Sequence, residues 1–89
     1  MRASAPAMLA TVRVLYFAAA REKIGLAEEE IELPAGLRTL GALRSHLAVR
    51  HPVLGEPAVR GAVNQEFAGP DTVISAGDEI AFFPPTTGG

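Results

Sequence analysis

Hydrophobic and polar residues alternate along TVRVLYFA, the first strongly patterned segment of the chain. Val12, Val14 and Tyr16 occupy one set of alternating positions, and Phe17 belongs to the opposite set. Because successive side chains of a strand point to opposite faces of a sheet, this pattern predicts a β-strand with one buried face. The segment EEEIELP returns to an extended pattern, and we predict that it forms a second strand, antiparallel to the first.

Two further segments favour helices. The run AAAREKIG is rich in helix-forming residues and ends at Gly25, a residue type that suits a helix C-cap. The segment TLGALRSHLAVRHP starts with a good N-cap residue, Thr39, and places Leu40, Leu43 and Leu47 at three- and four-residue spacing. We therefore predict a short first helix and a longer main helix that carries one apolar stripe.

The second half of the chain is predicted to contain shorter elements. Residues 53–61 are interrupted by proline and glycine and are predicted to form a loop. AVNQEFA is interpreted as a short strand broken by a polar Asn-Gln pair, and a turn at Gly77-Asp78 precedes a last strand from Glu79 to Phe83. This order predicts an α+β fold in which one mixed sheet wraps the main helix. A ubiquitin-like β-grasp has this arrangement, but periodicity alone does not distinguish it from other small α+β folds.

Length and composition limit the chain to one small domain. Its 89 residues, of which 48% are hydrophobic, indicate a folded domain. The net charge of −2 and the scattered basic residues argue against nucleic-acid binding, and no apolar run reaches the roughly 20 residues of a membrane span. The absence of cysteine excludes disulfides and thiolate metal sites. Because the N-terminus lacks an apolar signal-peptide core, we expect a cytoplasmic protein.

We expect three parts along the chain. Residues 1–10, rich in alanine, are predicted to be a disordered N-terminal extension without an assigned role, and Met8 is an alternative start. Residues 11–83 are predicted to form the folded domain. Residues 84–89 are predicted to form an extended, flexible C-terminal tail.

The tail, within the segment FFPPTTGG, carries no charged side chain and ends in a backbone carboxylate. Pro84 and Pro85 fix φ and favour a stiff projection from the last strand, while Gly88 and Gly89 are slender enough to enter a narrow channel. A carboxylate is a poor acyl electrophile, but an acyl-adenylate made with ATP has a good leaving group. A sulfur nucleophile would then give a thiocarboxylate, and an amine would give an isopeptide. We expect Gly89 to be the reactive residue; the alternative is a frayed end without a function.

The segments RVLYFAAAREKIG, AVNQE, AGDEIAFF and FFPPTTGG occur in this order along the chain. With them, the sequence resembles the small subunits of molybdopterin synthase, the MoaD family within the MoaD/ThiS group of ubiquitin-like sulfur carriers. The resemblance covers roughly residues 12–89. A terminal Gly-Gly is shared by all relatives in the group, whereas the aromatic pair followed by Pro-Pro favours this family. The resemblance implies a β-grasp fold.

The resemblance also implies a role in molybdenum cofactor biosynthesis. In the family, a ubiquitin-activating-type adenylyltransferase adenylates the C-terminal glycine, here Gly89, and a sulfurtransferase system converts the adenylate into a thiocarboxylate. The thiocarboxylate then enters the large synthase subunit and donates sulfur to cyclic pyranopterin monophosphate. The resemblance implies a heterotetramer of two small and two large subunits, with catalysis in the large subunit. The small subunit itself binds no cofactor, because ATP is used by the activating partner.

The strand pattern and the resemblance together suggest a partner-binding surface. By alternation, Phe17 and Phe83 lie on the face opposite the main helix, and the family's apolar partner-facing positions coincide with Phe17, Phe67 and Phe83. The pattern leaves open which face of the sheet Phe67 lies on, and the three rings could instead fill a second small core. Arg21 matches a basic position close to the tail in the family, and it could equally be a solvated surface charge. The tail residues complete the predicted surface: Pro84, Pro85, Thr86, Thr87, Gly88 and Gly89.

The remaining charged residues have no predicted site. Glu28, Glu29 and Glu30 are interpreted as a soluble strand edge, and His46 and His51 lack the neighbours of a metal site. Three other functions stay open: a sulfur carrier for thiamine, cysteine or transfer-RNA thiolation pathways, a ubiquitin-like protein modifier, and an interaction module with an inert tail. A self-sufficient enzyme is not expected, because no acid–base or nucleophile pair can be assembled from these residues.

Overall fold

A five-stranded mixed sheet with helices on one face organises the protein. The computed structural model describes residues 10–84. The elements, in chain order, are β1 (Thr11–Tyr16), α1 (Ala18–Ile24), β2 (Glu28–Glu32), α2 (Leu40–Ala48), a 3-10 helix (Pro52–Gly55), β3 (Arg60–Val63), β4 (Glu66–Ala68) and β5 (Glu79–Phe83). The strand order is β2-β1-β5-β3-β4, with β1 and β5 parallel and every other neighbouring pair antiparallel. None of these helices is long and apolar enough to cross a bilayer.

The core lies between the sheet and α2. Val12, Val14 and Tyr16 of β1 are each no more than 1% exposed, as their alternation predicts. Leu43 and Leu47, from the apolar stripe of α2, are fully buried in the same cluster. The prediction of an α+β fold with a mixed sheet around one main helix is confirmed.

Both helix ends predicted from the sequence are present. The Oγ1 atom of Thr39 accepts a hydrogen bond from the backbone N–H of Ala42 at 3.2 Å and so caps the first turn of α2. Gly25 ends α1 in the left-handed conformation, with φ of 87°. The predicted antiparallel pair of first strands is also confirmed, since Val12 of β1 lies opposite Ile31 of β2.

The prediction of a loop over residues 53–61 is partly wrong. The segment contains most of the 3-10 helix, and Val53 and Leu54 are 8% and 0% exposed. Leu54 therefore contributes to the core as fully as the leucines of α2. Two apolar residues between a proline and a glycine are too few to show a period, so the pattern could not predict this turn.

The interpretation of AVNQEFA as one broken strand is also wrong. The segment is a hairpin: β3 and β4 are antiparallel, and Val63 lies opposite Glu66 across the two-residue turn. Asn64 and Gln65 both have positive φ, at 51° and 72°, as a type I′ turn requires. The Asn64 side chain also accepts a hydrogen bond from the backbone N–H of Glu79 at 3.0 Å, which ties the turn to the start of β5.

Candidate functional site

The sheet has a second face, turned away from α2, which we call the open face. Leu15 of β1 pairs with Glu28 of β2 on one side and with Ala81 of β5 on the other. Ala62 of β3 pairs with Ala81 and, across the hairpin, with Phe67 of β4. Because directly paired residues share a face, these five residues form one row across the whole sheet. The register therefore assigns Phe67 to the open face.

Three phenylalanines lie toward one end of the open face, and we call them the aromatic patch: Phe17, Phe67 and Phe83. Phe67 is 82% exposed, and its ring centroid lies 5.7 Å from that of the half-buried Phe83. Phe17 is 48% exposed and donates its backbone N–H to the carbonyl of Phe82 at 3.2 Å, which places it beside the end of β5. An aromatic side chain with more than four-fifths of its surface exposed does not fill a core, so the alternative of a second small core fails for Phe67.

The tail begins beside the aromatic patch. β5 lies between β1 and β3, and its last residue is Phe83. Pro84 follows, is half-buried, and has no N–H to extend the strand pairing. The other predicted tail residues lie outside the described part of the chain: Pro85, Thr86, Thr87, Gly88 and Gly89.

Arg21 lies one helical turn beyond the aromatic patch. It belongs to α1, is exposed, and donates its backbone N–H to the carbonyl of Phe17 at 3.3 Å. Among residues 10–84, its guanidinium takes part in no ion pair. This position is compatible both with a contact to a partner and with a solvated surface charge.

Charged residues occupy the opposite end of the open face. Arg13 of β1 pairs in register with Glu30 of β2 and with Glu79 of β5. Its Nη2 atom also lies 3.0 Å from Oε1 of Glu28. We call the three carboxylates Glu28, Glu30 and Glu79 the acidic end. Alternation along EEEIE predicts that its first and third glutamates share a face, but the sequence does not reveal which strand they lie beside.

Arg60 is a further charged residue of the open face, at the aromatic end. It is the first residue of β3, is exposed, and pairs in register with Phe83. Sequence reasoning missed it because it fell in the predicted loop over residues 53–61. Alternation through RGAVNQEFA would have found it, since Arg60 and Ala62 share one face of the strand.

Glu29 belongs to a polar cluster on the helix side of the sheet, which corrects its interpretation as part of a soluble strand edge. The hydroxyl of Tyr16 donates to its Oε2 at 2.7 Å, and Nε2 of His51 lies 2.9 Å from the same oxygen. Nη2 of Arg50 is 3.7 Å from its Oε1. The Glu29 side chain is only 17% exposed, whereas Glu28 is exposed, as predicted for an edge strand. The cluster joins β2 to the segment that follows α2.

The charges in this cluster favour an ionised Glu29. Burial alone would raise the pKa of Glu29, but hydrogen bonds from Tyr16 and His51 and the charges of His51 and Arg50 outweigh it and lower the pKa below its ordinary value. Burial, and then the hydrogen bond to Glu29, raise the pKa of Tyr16 far above its usual range, so its hydroxyl stays a donor. In the part of the chain described, no three potential metal-binding side chains come together, and His46 is exposed.

Replacing Glu29 by Gln is expected to lower the free energy of unfolding by about 1–2 kcal/mol at neutral pH, because the ionised carboxylate accepts charge-assisted hydrogen bonds in the fold. Since folding lowers the pKa of Glu29, this stabilisation is present above its unfolded-state pKa and is lost as the pH falls through the lower folded-state pKa. Urea unfolding of wild type and variant at about pH 7 and pH 3 measures this difference in the free energy of unfolding, with Glu30→Gln as the control at an exposed glutamate. An equal loss of unfolding free energy at both pH values would show that the negative charge of Glu29 is not what stabilises the fold.

Comparisons with known proteins identify similar chains of nearly the same length. The ThiS family model matches residues 14–89. A protein of Escherichia coli (strain K12) named molybdopterin synthase sulfur carrier subunit is 39% identical over 82 residues, which cover 88% of this chain and 99% of that protein. A Homo sapiens protein of the same name is 40% identical over 88 residues, which cover 91% and 97% of the two chains.

A solved structure of another protein has the same fold. SAMP1 from Haloferax volcanii superimposes with a TM-score of 0.74 at 29% sequence identity, over 89% of this chain and 99% of its own. The prediction of a ubiquitin-like β-grasp, which the strand pattern alone left undecided, is thereby confirmed.

Proposed function

The chain belongs to the ThiS family, as its resemblance to the MoaD/ThiS group predicted, and we propose that it is the sulfur-carrier subunit of a molybdopterin synthase. The position of β5 carries this proposal: the central strand ends at Phe83, so the tail starts beside the exposed rings of Phe17 and Phe67. A partner that binds these rings also holds the start of the tail. The names of the Escherichia coli and human relatives support the choice of pathway.

In the proposed reaction, the carboxylate of Gly89 is first activated. A ubiquitin-activating-type adenylyltransferase transfers AMP from ATP to a carboxylate oxygen and releases pyrophosphate. A sulfurtransferase then supplies a sulfur nucleophile; a C–S bond forms, the C–O bond to AMP breaks, and AMP leaves. Gly89 then ends in a thiocarboxylate. Because the chain contains no cysteine, the sulfur nucleophile must come from a partner.

The large subunit of the synthase is the proposed acceptor of the loaded tail. Residues 84–89 can extend about 20 Å, far enough to reach a catalytic centre inside a partner. There the sulfur forms a bond to a carbon of cyclic pyranopterin monophosphate, water cleaves its bond to the carbonyl carbon of Gly89 and restores the carboxylate, and two rounds complete the dithiolene of molybdopterin. In this proposal two small and two large subunits assemble, the large subunit supplies the catalytic groups, and the small subunit binds no cofactor. Arg21, one turn from Phe17, would pair with an acidic group of the partner.

A ubiquitin-like protein modifier is the second candidate function. It is favoured by the similarity to SAMP1, the small archaeal modifier protein 1 of Haloferax volcanii. The same activated Gly89 would then react with a lysine amine of a target protein and form an isopeptide. The two functions share the adenylation step and differ in the nucleophile that follows it.

Intact-mass spectrometry after enzymatic loading tests the proposal. The chain is incubated with ATP, a sulfurtransferase with its sulfur donor, and the adenylyltransferase encoded in the same genome. We expect one oxygen of Gly89 to be replaced by sulfur, and addition of the large subunit to convert the pterin precursor and regenerate the carboxylate. Conjugates on lysines of other proteins would instead support the modifier, and an unchanged mass would contradict both functions.

A further inference from the structure

The open face carries charges of opposite sign at its two ends. Arg60 lies beside Phe83, just before the tail begins. At the other end of the face, the acidic end surrounds Arg13 of β1, which pairs with the first residue of β5. Along β5, Phe83 and Glu79 are four residues apart, which corresponds to about 13 Å. This separation exceeds the Debye length of about 8 Å at physiological ionic strength. The two ends therefore present separate charges to a partner and do not neutralise each other.

A partner of ordinary size covers both ends. Five strands at about 4.8 Å spacing and about 3.3 Å per residue give an open face of roughly 400 Å² in projection. A stable interface buries about 800 Å² on each partner. A protein that docks on the aromatic patch therefore also faces the acidic end, and its charges must suit both.

Among residues 10–84, no side chain neutralises the guanidinium of Arg60. In the described part of the chain, ion pairs form at Arg13, Lys23, Arg50 and His51, and none forms at Arg60. Because Arg60 lies directly opposite Phe83, a protein that buries the ring also removes water from the guanidinium. Burying a charge without a counter-charge is strongly unfavourable. The partner must therefore offer an acceptor at this point, and a carboxylate matches the guanidinium best.

We propose that the open face selects a protein that sets a carboxylate against Arg60 and basic side chains against the acidic end, with an apolar surface between them. This inference rests on the proposed function, in which the partner is the large synthase subunit. The large subunit is therefore expected to carry the carboxylate, the apolar surface and the basic side chains in this order. Arg60 acts as a specificity-determining residue: it orients the partner so that the partner's carboxylate lies where the tail begins. A protein with the opposite order of charges would be repelled at both ends.

Binding of the large subunit from the same genome, measured by calorimetric titration, tests the inference. Arg60→Glu is expected to weaken binding by about 30-fold or more, because a carboxylate would then face a carboxylate. The control is Arg38→Glu, an exposed arginine in the connection between β2 and α2, which changes the net charge equally and is expected to stay within about 3-fold of wild type. Both variants should keep the wild-type thermal unfolding midpoint.

The acidic end is tested in the same way. Glu30→Lys should weaken binding of the large subunit, and this loss of affinity should become smaller as the salt concentration is raised. The control is Asp71→Lys, at an exposed residue outside the sheet, which should leave the affinity unchanged.

A large-subunit variant with one carboxylate changed to arginine should restore binding to the Arg60→Glu chain. If Arg60→Glu bound as tightly as wild type while wild type still transferred sulfur, the inference would be wrong and the proposed function would stand. If wild type neither bound the large subunit nor accepted sulfur, both would be overturned.

Discussion

A chain that lacks Gly89, or that carries one extra residue after it, is expected to lose sulfur transfer by at least about 100-fold while it keeps its fold. Either change moves the terminal carboxylate by about 3.5 Å. Acyl transfer needs the reacting atoms about 3–3.5 Å apart and aligned, and a misplacement of 1 Å can cost about 100-fold. The rate of pterin conversion by the assembled synthase measures this loss.

The control for this experiment is a chain that starts at Met8, which shortens the other terminus. Because the core lies within residues 10–84, all three chains should unfold at the same temperature. All three should also bind the large subunit through the same aromatic patch. A binding measurement therefore shows whether a variant has lost the sulfur-transfer reaction or the interaction with the large subunit. Normal conversion by either Gly89 variant would show that the terminal carbonyl carbon is not the reacting atom.

The position of β5 explains how a small domain can present such a terminus accurately. β5 is hydrogen-bonded to β1 on one side and to β3 on the other, and Ile80 and Phe82 are fully buried. A central strand with buried side chains is among the most stable parts of a fold, whereas edge strands and ends open more easily. Phe83, the residue that precedes the tail, is thereby held in place beside Phe17. In the proposed function, a partner that binds the patch would therefore also position the start of the tail.

The alternation of residues predicted the faces of the sheet correctly. Val12, Val14 and Tyr16 are buried, and Phe17 is on the exposed side, because a strand with one solvated face needs this period. The leucine stripe of α2 was equally predictable, since its spacing matches the helical turn. These local periods determine most of the fold. The order of strands, with β1 and β5 paired in parallel, could not be predicted from the period, because alternation does not say which strands are neighbours.

Contacts between distant segments were not predictable from local patterns. Alternation does place Glu29 on the same side as Ile31, but the hydroxyl and imidazole that make its burial tolerable come from Tyr16 and His51, 13 and 22 residues away. The hairpin turn at Asn64-Gln65 was not predicted for another reason. An Asn-Gly pair is the strong sequence signal for such a turn, and glutamine adopts positive φ less readily than glycine.

Replacing Phe67 by Asp is expected to weaken binding to the large subunit by about 100-fold. The ring is 82% exposed in the free chain and lies 5.7 Å from Phe83, so a partner can bury both rings together. Aromatic residues at the centre of an interface commonly contribute 2 kcal/mol or more, and a carboxylate in their place would also have to be desolvated. Titration calorimetry measures the loss, and Phe83→Asp should give a loss of similar size.

A matched control separates partner binding from solubility and charge. Val49 is 83% exposed, close to the value for Phe67, but it caps the end of α2 on the opposite side of the sheet. Val49→Asp removes a comparable apolar surface and adds the same charge, so it should leave binding within about 3-fold of wild type. Because neither side chain fills the core, both variants should unfold near the wild-type temperature. Equal effects of the two substitutions on binding would mean that the partner docks elsewhere, and the tail would then have to reach it without help from the open face.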